Sequence, residues 1–287
     1  MTAAALDALP PLREVIARHG LMAKKTLGQH FLLDLNLTRR IVAAAGDLSG
    51  CTAFEIGPGP GGLTRALVAS GATRIIAVEK DSRCIGALES LAQAAGERLQ
   101  IIEADALATD LPTLSPPPRA IVANLPYNIG TPLLIGWLRQ MAQADAASFA
   151  APYRSLTLMF QAEVADRIVA PPNSEAYGRL AVIAQFCCVA KRVMTIPARA
   201  FTPPPKIDSA VVHLTPRPDR PTDVSFAALE TVTAAAFGQR RKMLRSSLKS
   251  LGGEALLRES GINPEKRAEE LSIADFENLA RHVHAKA

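Results

Sequence analysis

The chain has 287 residues, 48% of them apolar and 21% charged, so it can bury a sizeable core and is too apolar for intrinsic disorder. No apolar run reaches the roughly 20 residues of a membrane-spanning helix, and charged residues and prolines in the first 23 positions exclude a secretory signal. The net charge is +5, but 16 of the 32 Lys and Arg and only 11 of the 27 Asp and Glu lie from Lys191 onwards, which predicts a cationic surface there.

The four cysteines, at positions 51, 84, 187 and 188, show no C-x-x-C spacing, and two are adjacent, where an intrachain disulfide would be strained. Because a free cysteine behaves as a small hydrophobic side chain, we expect buried thiols and no metal site. We also expect the protein to be cytoplasmic.

Five short apolar runs alternate with helical patterns in the first part of the chain. They are Thr52–Ile56, Arg74–Glu79, Leu99–Glu103, Ala120–Asn124 and Ser155–Phe160. Strands separated by helices predict βαβ crossovers and a parallel sheet. Two further runs, Leu180–Phe186 and Ser209–Leu214, bring the predicted strands to seven. The predicted fold class is α/β, with a Rossmann-like seven-stranded sheet and helices on both of its faces.

Prolines mark the end of this α/β region. Three in a row within Phe201–Ser209 forbid a helix and demand an extended loop, and Pro216, Pro218 and Pro221 then predict a hinge. Beyond the hinge the apolar period is helical to the end. We therefore predict an N-terminal extension at 1–22, an α/β domain at 23–215 and a small helical domain at 216–287.

The first predicted strand ends in a glycine-rich turn, Gly57–Gly62, which precedes a helical pattern. Glycines let the backbone approach a ligand closely, and a helix N-terminus favours electronegative groups. Glu79 closes the second strand, where a carboxylate can accept both hydroxyls of a ribose. Asp105 follows the third strand, where it could accept from the exocyclic amine of an adenine or cap a helix. These features suit NAD and an adenosine-containing methyl donor equally, and a solvated Glu79 is the structural alternative.

Asn124-Leu125-Pro126-Tyr127 follows the fourth strand, at the edge where an open α/β sheet presents reactive groups. An aromatic amine is a poor nucleophile because its lone pair is delocalised into the ring. The Asn124 carboxamide oxygen and a backbone carbonyl fixed by the Pro126 turn would accept its two N–H bonds and localise that lone pair. Tyr127 would stack on the base. A plain turn would also use Asn and Pro, so these four residues alone do not decide.

A cationic run without any acidic residue lies in the predicted helical domain. It consists of Arg240, Arg241, Lys242, Arg245 and Lys249. In one continuous helix, Arg241, Arg245 and Lys249 would share a face opposite an apolar stripe made by Phe237, Leu244, Leu248 and Leu251. Such a helix would offer its cations to phosphates, and the alternative is a merely solvated face.

Six ordered blocks, which together extend over most of the chain, resemble the ribosomal RNA adenine dimethyltransferase family. They are Lys24–Leu32, the glycine turn, Asn124–Ile129, Gln161–Arg167, Phe201–Ser209 and Phe237–Leu244. The resemblance implies S-adenosylmethionine as cofactor and dimethylation of N6 in two adjacent adenosines near the 3′ end of small-subunit (16S) ribosomal RNA during ribosome biogenesis. The implied partner is that RNA within the 30S subunit or its precursor. A monomer is expected, with no metal and no membrane.

The resemblance also implies roles for individual residues. The implied cofactor-binding set is His30, Leu32, Gly57, Glu79, Asp105 and Asn124, and the catalytic set is Asn124, Pro126 and Tyr127. From the residues themselves, the proline-rich loop and the cationic run, we predict RNA contacts at Phe201, Arg240, Arg241, Lys242 and Arg245. Phe201 either closes over the target base or anchors its loop in the core. Relatives often have Asn where this chain has His30 and Ser246.

Four other functions share part of this pattern. An NAD-dependent dehydrogenase leaves Asn124–Tyr127 and the basic run unexplained. A protein glutamine methyltransferase uses a similar Asn-Pro-Pro-Tyr element without needing a cationic face. A DNA adenine methyltransferase has identical chemistry, and only the family blocks argue against it. An RNA-binding assembly factor could retain the fold without activity.

Overall fold

The computed structural model describes residues 8–21, 29–143 and 151–284. Their contacts divide the chain into two compact units. The first comprises the described residues within 1–134, 150–165 and 191–215, and the second those within 135–149, 166–190 and 216–287. The second unit therefore combines the segment that begins at Pro216 with two segments that the sequence analysis assigned to the α/β domain. The assignment of catalysis and RNA binding to separate parts of the chain stays a prediction.

A seven-stranded sheet and a two-stranded sheet occur in the described ranges. The strands are β1 (Phe31–Leu32), β2 (Thr52–Ile56), β3 (Arg74–Glu79), β4 (Leu99–Glu103), β5 (Arg119–Asn124), β6 (Ser155–Gln161), β7 (Cys188–Ile196), β8 (Phe201–Thr202) and β9 (Ser209–Pro216). The large sheet has the order β4-β3-β2-β5-β6-β9-β7. Its pairs from β4 to β6 are parallel, and β9 runs antiparallel to β6. The five predicted parallel strands and the predicted strand at β9 are confirmed.

The helices take up much of the remaining chain. They are α1 (Leu12–Arg18), α2 (Leu35–Ala43), α3 (Gly62–Val68), α4 (Ser82–Ala95), α5 (Gly130–Gln143), α6 (Ala162–Val169), α7 (Arg179–Cys187), α8 (Phe226–Gly238), α9 (Leu244–Ser247), α10 (Gly253–Glu259) and α11 (Ile273–His284). Asp34 caps α2 by accepting from the N–H groups of Asn36 and Leu37. Asp81 caps α4 in the same way through Arg83 N–H.

The centre of the large sheet lies between β2 and β5. Ala53 and Phe54 in β2 and Ala120–Ala123 in β5 are fully buried, as expected for parallel strands covered on both faces. Chain connections leave these two strands in opposite directions, toward β3 and toward β6. Ligands of open α/β sheets bind outside the carboxyl ends of the strands at such a point. The glycine turn after β2 and Asn124 at the end of β5 both reach it.

The run Leu180–Phe186, predicted as a strand, is instead part of helix α7, and that prediction is wrong. Ala181, Val182, Ile183 and Ala184 are fully buried in succession, so the sequence carries no clear 3.6-residue period. A short apolar run of this kind fits a buried strand and a buried helix equally. The seventh strand of the sheet is β7, which begins one residue after α7 ends.

The single helix predicted through the cationic run is also wrong. Helix α8 ends at Gly238, residues 239–243 form a turn, and α9 begins only at Leu244. A 3-10 turn at Lys249–Leu251 then ends at Gly252, whose φ of +113° favours glycine. Arg241, Arg245 and Lys249 therefore do not share one helical face.

Two short strands that the sequence analysis left as loops bring distant segments together. Phe31 pairs with Thr202 and Leu32 with Phe201, in antiparallel register. Strand β1 packs closely against the start of α3. A Cβ at Gly62 would lie only 2.4 Å from the Leu32 carbonyl oxygen, so this close approach requires glycine. The pairing places the segment around His30 beside the proline-rich loop, residues 203–208.

The described part of the predicted N-terminal extension, residues 8–21, packs onto the first unit. Leu12 and Val15 of α1 are buried, and Leu21 joins a cluster with Cys84 and Ala87 of α4. The Arg65 guanidinium of α3 donates to the Pro10 carbonyl at 2.7 Å. This segment therefore packs against α3, which follows the glycine turn, and against α4.

Candidate active site

One open cleft at the carboxyl edge of the sheet collects most of the predicted site residues. Its lining surrounds about 1020 Å³ of empty space, a figure that includes open solvent at the mouth of the cleft. The predicted residues that line it are His30, Leu32, Gly57, Glu79, Asp105, Asn124, Pro126 and Tyr127. All of them belong to the first unit.

The floor of the cleft is the glycine turn between β2 and α3. Gly57 has a φ of +68°, and its N–H donates to the Val78 carbonyl at 2.9 Å, which ties the turn to β3. A Cβ at Gly57 would lie 3.6 Å from the Pro126 ring. Because glycine has no side chain, the main chain of the turn stays accessible from the cleft, and it lies close to the segment that carries Asn124.

Glu79, at the end of β3, is held by main-chain donors. Its carboxylate accepts from Gly59 N–H at 3.1 Å and from Lys80 and Asp81 N–H at 2.8 Å. Burial raises the pKa of Glu79, and these three hydrogen bonds oppose that rise. The side chain is only 6% exposed, so the solvated alternative does not apply. Its position is fixed before any ligand arrives.

Asp105 takes part in an ion pair that the sequence analysis missed. Lys80 Nζ lies 2.7 Å from Asp105 Oδ2, and Leu107 N–H donates to Oδ1 at 3.0 Å. The hydrogen bond from Lys80 is the main cause of the lowered pKa of Asp105. Both side chains are partly exposed, and Leu107 beside them is 53% exposed. The only sequence signal for Lys80 is its position directly after Glu79.

Glu55 is a second residue that the sequence analysis missed. It lines the cleft from within β2, is 1% exposed, and its Oε2 accepts no hydrogen bond among the described residues. Burial raises the pKa of Glu55 to about 8, although the nearby Thr64 hydroxyl opposes the rise, and the Glu79 charge adds a smaller increase. The available signal was an acidic residue inside an apolar strand, two positions before Gly57.

Asn124 leaves β5 with its carboxamide in a defined orientation. Nδ2 donates to the His30 carbonyl at 3.1 Å, so Oδ1 points elsewhere and accepts no hydrogen bond from the described residues. The carbonyl of Pro126 accepts from Ile129 and Gly130 N–H in the first turn of α5, whereas the Leu125 carbonyl accepts none within the described ranges. Two acceptors, Asn124 Oδ1 and the Leu125 carbonyl, are thus left on neighbouring residues.

Tyr127 is fixed at both its ring and its hydroxyl. Its ring stacks on His30 with centroids 5.3 Å apart and planes 30° from parallel. Its Oη lies 2.6 Å from Ser209 Oγ, and burial raises its pKa. Phe201 is 2% exposed and belongs to the core, with its ring edge toward His30 at 6.4 Å, which favours the anchoring alternative for this residue.

The predicted RNA-contacting cations lie in the second unit and do not line the cleft. Arg240 has a structural environment, because its Nε lies 3.1 Å from Glu269 Oε2 and its NH2 group donates to the Glu175 carbonyl at 2.6 Å. Arg241, Lys242 and Arg245 are exposed and form no ion pair within the described ranges. Lys249, the fifth cation of the run, is likewise exposed and forms no ion pair among the described residues.

Across the part of the chain that the structure describes, no group of three His, Cys, Asp or Glu residues could hold a metal ion. The four cysteines are buried free thiols, as predicted. None of the helices within the same described ranges is both long and apolar enough to cross a membrane.

Comparisons with known proteins place this chain among ribosomal RNA methyltransferases. A family model described as "Ribosomal RNA adenine dimethylase" matches residues 20–284. "Ribosomal RNA small subunit methyltransferase A" of Paramagnetospirillum magneticum is 57% identical over 279 residues, covering 97% of this chain and 96% of that protein. The protein of the same name from Rhizobium etli is 56% identical over 281 residues, covering 98% and 100%.

Two solved structures resemble the chain over most of its length. A dimethyladenosine transferase from Plasmodium falciparum has a TM-score of 0.71 at 26% identity, covering 87% of this chain and 96% of that one. The 23S rRNA methyltransferase ErmE has a TM-score of 0.64 at 24% identity, covering 88% and 99%. The second likeness concerns the fold alone.

Proposed function

Because this chain belongs to the ribosomal RNA adenine dimethylase family, we propose that it dimethylates N6 of two adjacent adenosines near the 3′ end of small-subunit ribosomal RNA. The observation that carries the proposal is the Asn124 carboxamide, oriented by the His30 carbonyl beside the glycine turn. A dehydrogenase would not require this acceptor. The nearly full-length relatives named small-subunit methyltransferases support the choice of substrate.

The residues of the cleft fit S-adenosylmethionine. Glu79 is a buried, pre-positioned acceptor suited to ribose hydroxyls, and Asp105 with Lys80 suits the polar edge of an adenine. The bare glycine turn leaves room for a ligand backbone, and the unpartnered Glu55 Oε2 suits a cationic or N–H group. When bound, this cofactor supplies an electrophilic methyl group on a sulfonium. Leu32, Gly57 and the main chain of His30 complete the proposed binding set.

The chain's own contribution to catalysis is orientation of the amine. Asn124 Oδ1 and the Leu125 carbonyl accept the two N–H bonds of the adenine N6, which localises the nitrogen lone pair for attack. Pro126 sets the turn that presents the Leu125 carbonyl, and Tyr127 offers its ring to the base. No charged base is required, because the amine loses its proton to water after transfer. A second transfer uses the single N–H that remains.

The second unit supplies the proposed contacts to the RNA backbone. Arg241, Lys242 and Arg245 are exposed and unpaired among the described residues, which suits phosphate binding. Arg240 is engaged within the second unit and Phe201 is buried in the core of the first, so neither is proposed as a direct RNA contact. We propose a monomer acting in the cytoplasm on 30S subunits or their precursors.

The experiment that tests this function is methyl transfer from labelled S-adenosylmethionine to under-methylated 30S subunits, followed by nucleoside analysis. The expected product is N6,N6-dimethyladenosine with the wild-type protein, formed about 100- to 1000-fold more slowly with Asn124→Ala. Cofactor binding without any transfer to 30S subunits would contradict the proposal and would favour an assembly factor that lacks this activity.

A further inference from the structure

On the base side of the cleft, His30 contacts Asn124, Tyr127 and the proline-rich loop. We propose that His30 is a positioning residue, whose main chain and side chain together hold Asn124, Tyr127 and the proline-rich loop in one arrangement. The inference rests on the proposed function, because it concerns the same active site. It differs from the role implied by resemblance, in which His30 covers the cofactor.

The main chain of His30 orients the proposed catalytic amide. Its carbonyl accepts from Asn124 Nδ2 at 3.1 Å, although the two residues are 94 positions apart. That carbonyl precedes the β1–β8 pairing of Phe31 with Thr202, so the strand pair fixes its direction. Because Nδ2 is held by this hydrogen bond, Oδ1 is directed away from the His30 carbonyl.

The ring of His30 fixes the ring of Tyr127. It stacks on Tyr127 at 5.3 Å and meets Phe201 edge-on at 6.4 Å, with planes 81° apart. Phe201 is buried in the core of the first unit and is therefore a rigid support. The imidazole packs between Phe201 and the half-buried Tyr127. It therefore restricts the movement of the Tyr127 ring.

The Nδ1 atom of His30 ties the same ring to the proline-rich loop. It lies 2.8 Å from the Pro203 carbonyl, and since a carbonyl only accepts, Nδ1 carries the hydrogen. Asp208, at the end of that loop, is anchored by Ala198 N–H and by Ala162 N–H. The next residue, Ser209, contacts the Tyr127 hydroxyl at 2.6 Å. Tyr127 is thus held on its face by the His30 ring, which bonds to the start of the loop, and at its hydroxyl by Ser209, which follows the end of the loop.

Three substitutions separate these contacts. His30→Ala removes both the ring and the donor. His30→Asn restores an N–H donor near the position of Nδ1 without the ring, and His30→Phe restores the ring without the donor. His19→Asn is the matched control, because His19 is an exposed histidine at the C-cap of α1.

The measurements are kcat, the KM for under-methylated 30S subunits and the Kd for S-adenosylmethionine. For His30→Ala we expect kcat to fall about 10- to 100-fold, with Kd for the cofactor within about threefold of wild type. His30→Asn and His30→Phe should each recover part of that loss, and His19→Asn should match wild type. A tenfold weaker cofactor affinity with unchanged kcat would make His30 a cofactor contact and overturn the proposal.

A double-mutant cycle of His30→Ala and Tyr127→Leu on the free energy of unfolding tests the contact without reference to activity. Coupled effects are expected, and additive effects would overturn the inference. Absence of methyl transfer by the wild-type protein would count against the proposed function alone, whereas additivity in this cycle would count against the role of His30 alone.

Discussion

The two sides of the cleft are built in different ways. On the cofactor side, the Glu79 carboxylate accepts from the main-chain N–H groups of Gly59, Lys80 and Asp81. On the base side, Asn124 and Tyr127 are held by His30 and Ser209, which are 94 and 82 positions away. The contacts that position Glu79 therefore come from the ends of two neighbouring strands, β2 and β3. The base side exists only once β1 has paired with β8.

The largest effect should come from Asn124→Ala, which removes the acceptor on the base side. We expect kcat to fall about 100- to 1000-fold, as when one pre-organised hydrogen-bonding group is lost from an active site. The Kd for S-adenosylmethionine, measured by isothermal titration calorimetry, should change much less.

Asn278→Ala is the matched control for that variant. Asn278 Nδ2 also donates to a main-chain carbonyl, that of Ser260 at 2.8 Å, but in the second unit. A loss of kcat in Asn278→Ala as large as that in Asn124→Ala would show that neither value reports on catalysis.

Glu79→Gln should do the opposite and impair the cofactor side. A carboxamide cannot accept from three N–H groups and two hydroxyls as a carboxylate does, so cofactor Kd should rise about 10- to 100-fold. The kcat at saturating cofactor should stay near wild type.

Glu103→Gln is the control, since Glu103 pairs in register with Glu79 at the end of β4 but is exposed. An equal loss of cofactor affinity in both variants would contradict the assignment of Glu79 to the ribose.

These two sides also show what the sequence could predict. Glu79, Asp105 and Asn124 each follow an apolar strand, so their meeting at one sheet edge followed from parallel order alone. The stacking of His30 on Tyr127 depends on strands of two residues, too short to give any period. Leu180–Phe186 was misassigned because four successive buried residues, Ala181–Ala184, hide the helical period. The cationic helix was misassigned because the apolar residues on either side of the turn after Gly238 keep a helical spacing.

Glu55 provides a prediction about pH. Its pKa is about 8 in the folded protein against an ordinary value of 4.5, so the folded state binds one more proton than the unfolded state between these values. Stability should therefore fall as pH rises through this window. Glu55→Gln removes this titration. Between pH 5 and pH 8 the unfolding free energy of the variant should therefore rise relative to that of wild type by on the order of 3 kcal/mol. The difference in melting temperature between the two proteins should shift in the same direction. A constant difference in differential scanning calorimetry across this range would contradict the prediction.

The smallest effects should come from single cations of the second unit. Arg241→Gln should raise the KM for 30S subunits a few-fold and lower the slope of log affinity against log salt by about 1, because one phosphate contact is lost. Arg240→Gln should instead lower the melting temperature, since it breaks the contacts with Glu269 and Glu175. If Arg240→Gln instead changed the KM and the salt dependence, and Arg241→Gln lowered the melting temperature, the assignment of Arg241 to the RNA would be wrong.

The central claim is that one cleft dimethylates two adjacent adenosines. Its most direct test is mass-spectrometric mapping of the methyl groups added to 30S subunits that lack them. We predict N6,N6-dimethyladenosine at two neighbouring positions near the 3′ end of the RNA, formed about 100- to 1000-fold more slowly with Asn124→Ala. Methyl groups on a single adenosine, on another base or outside that region would contradict it.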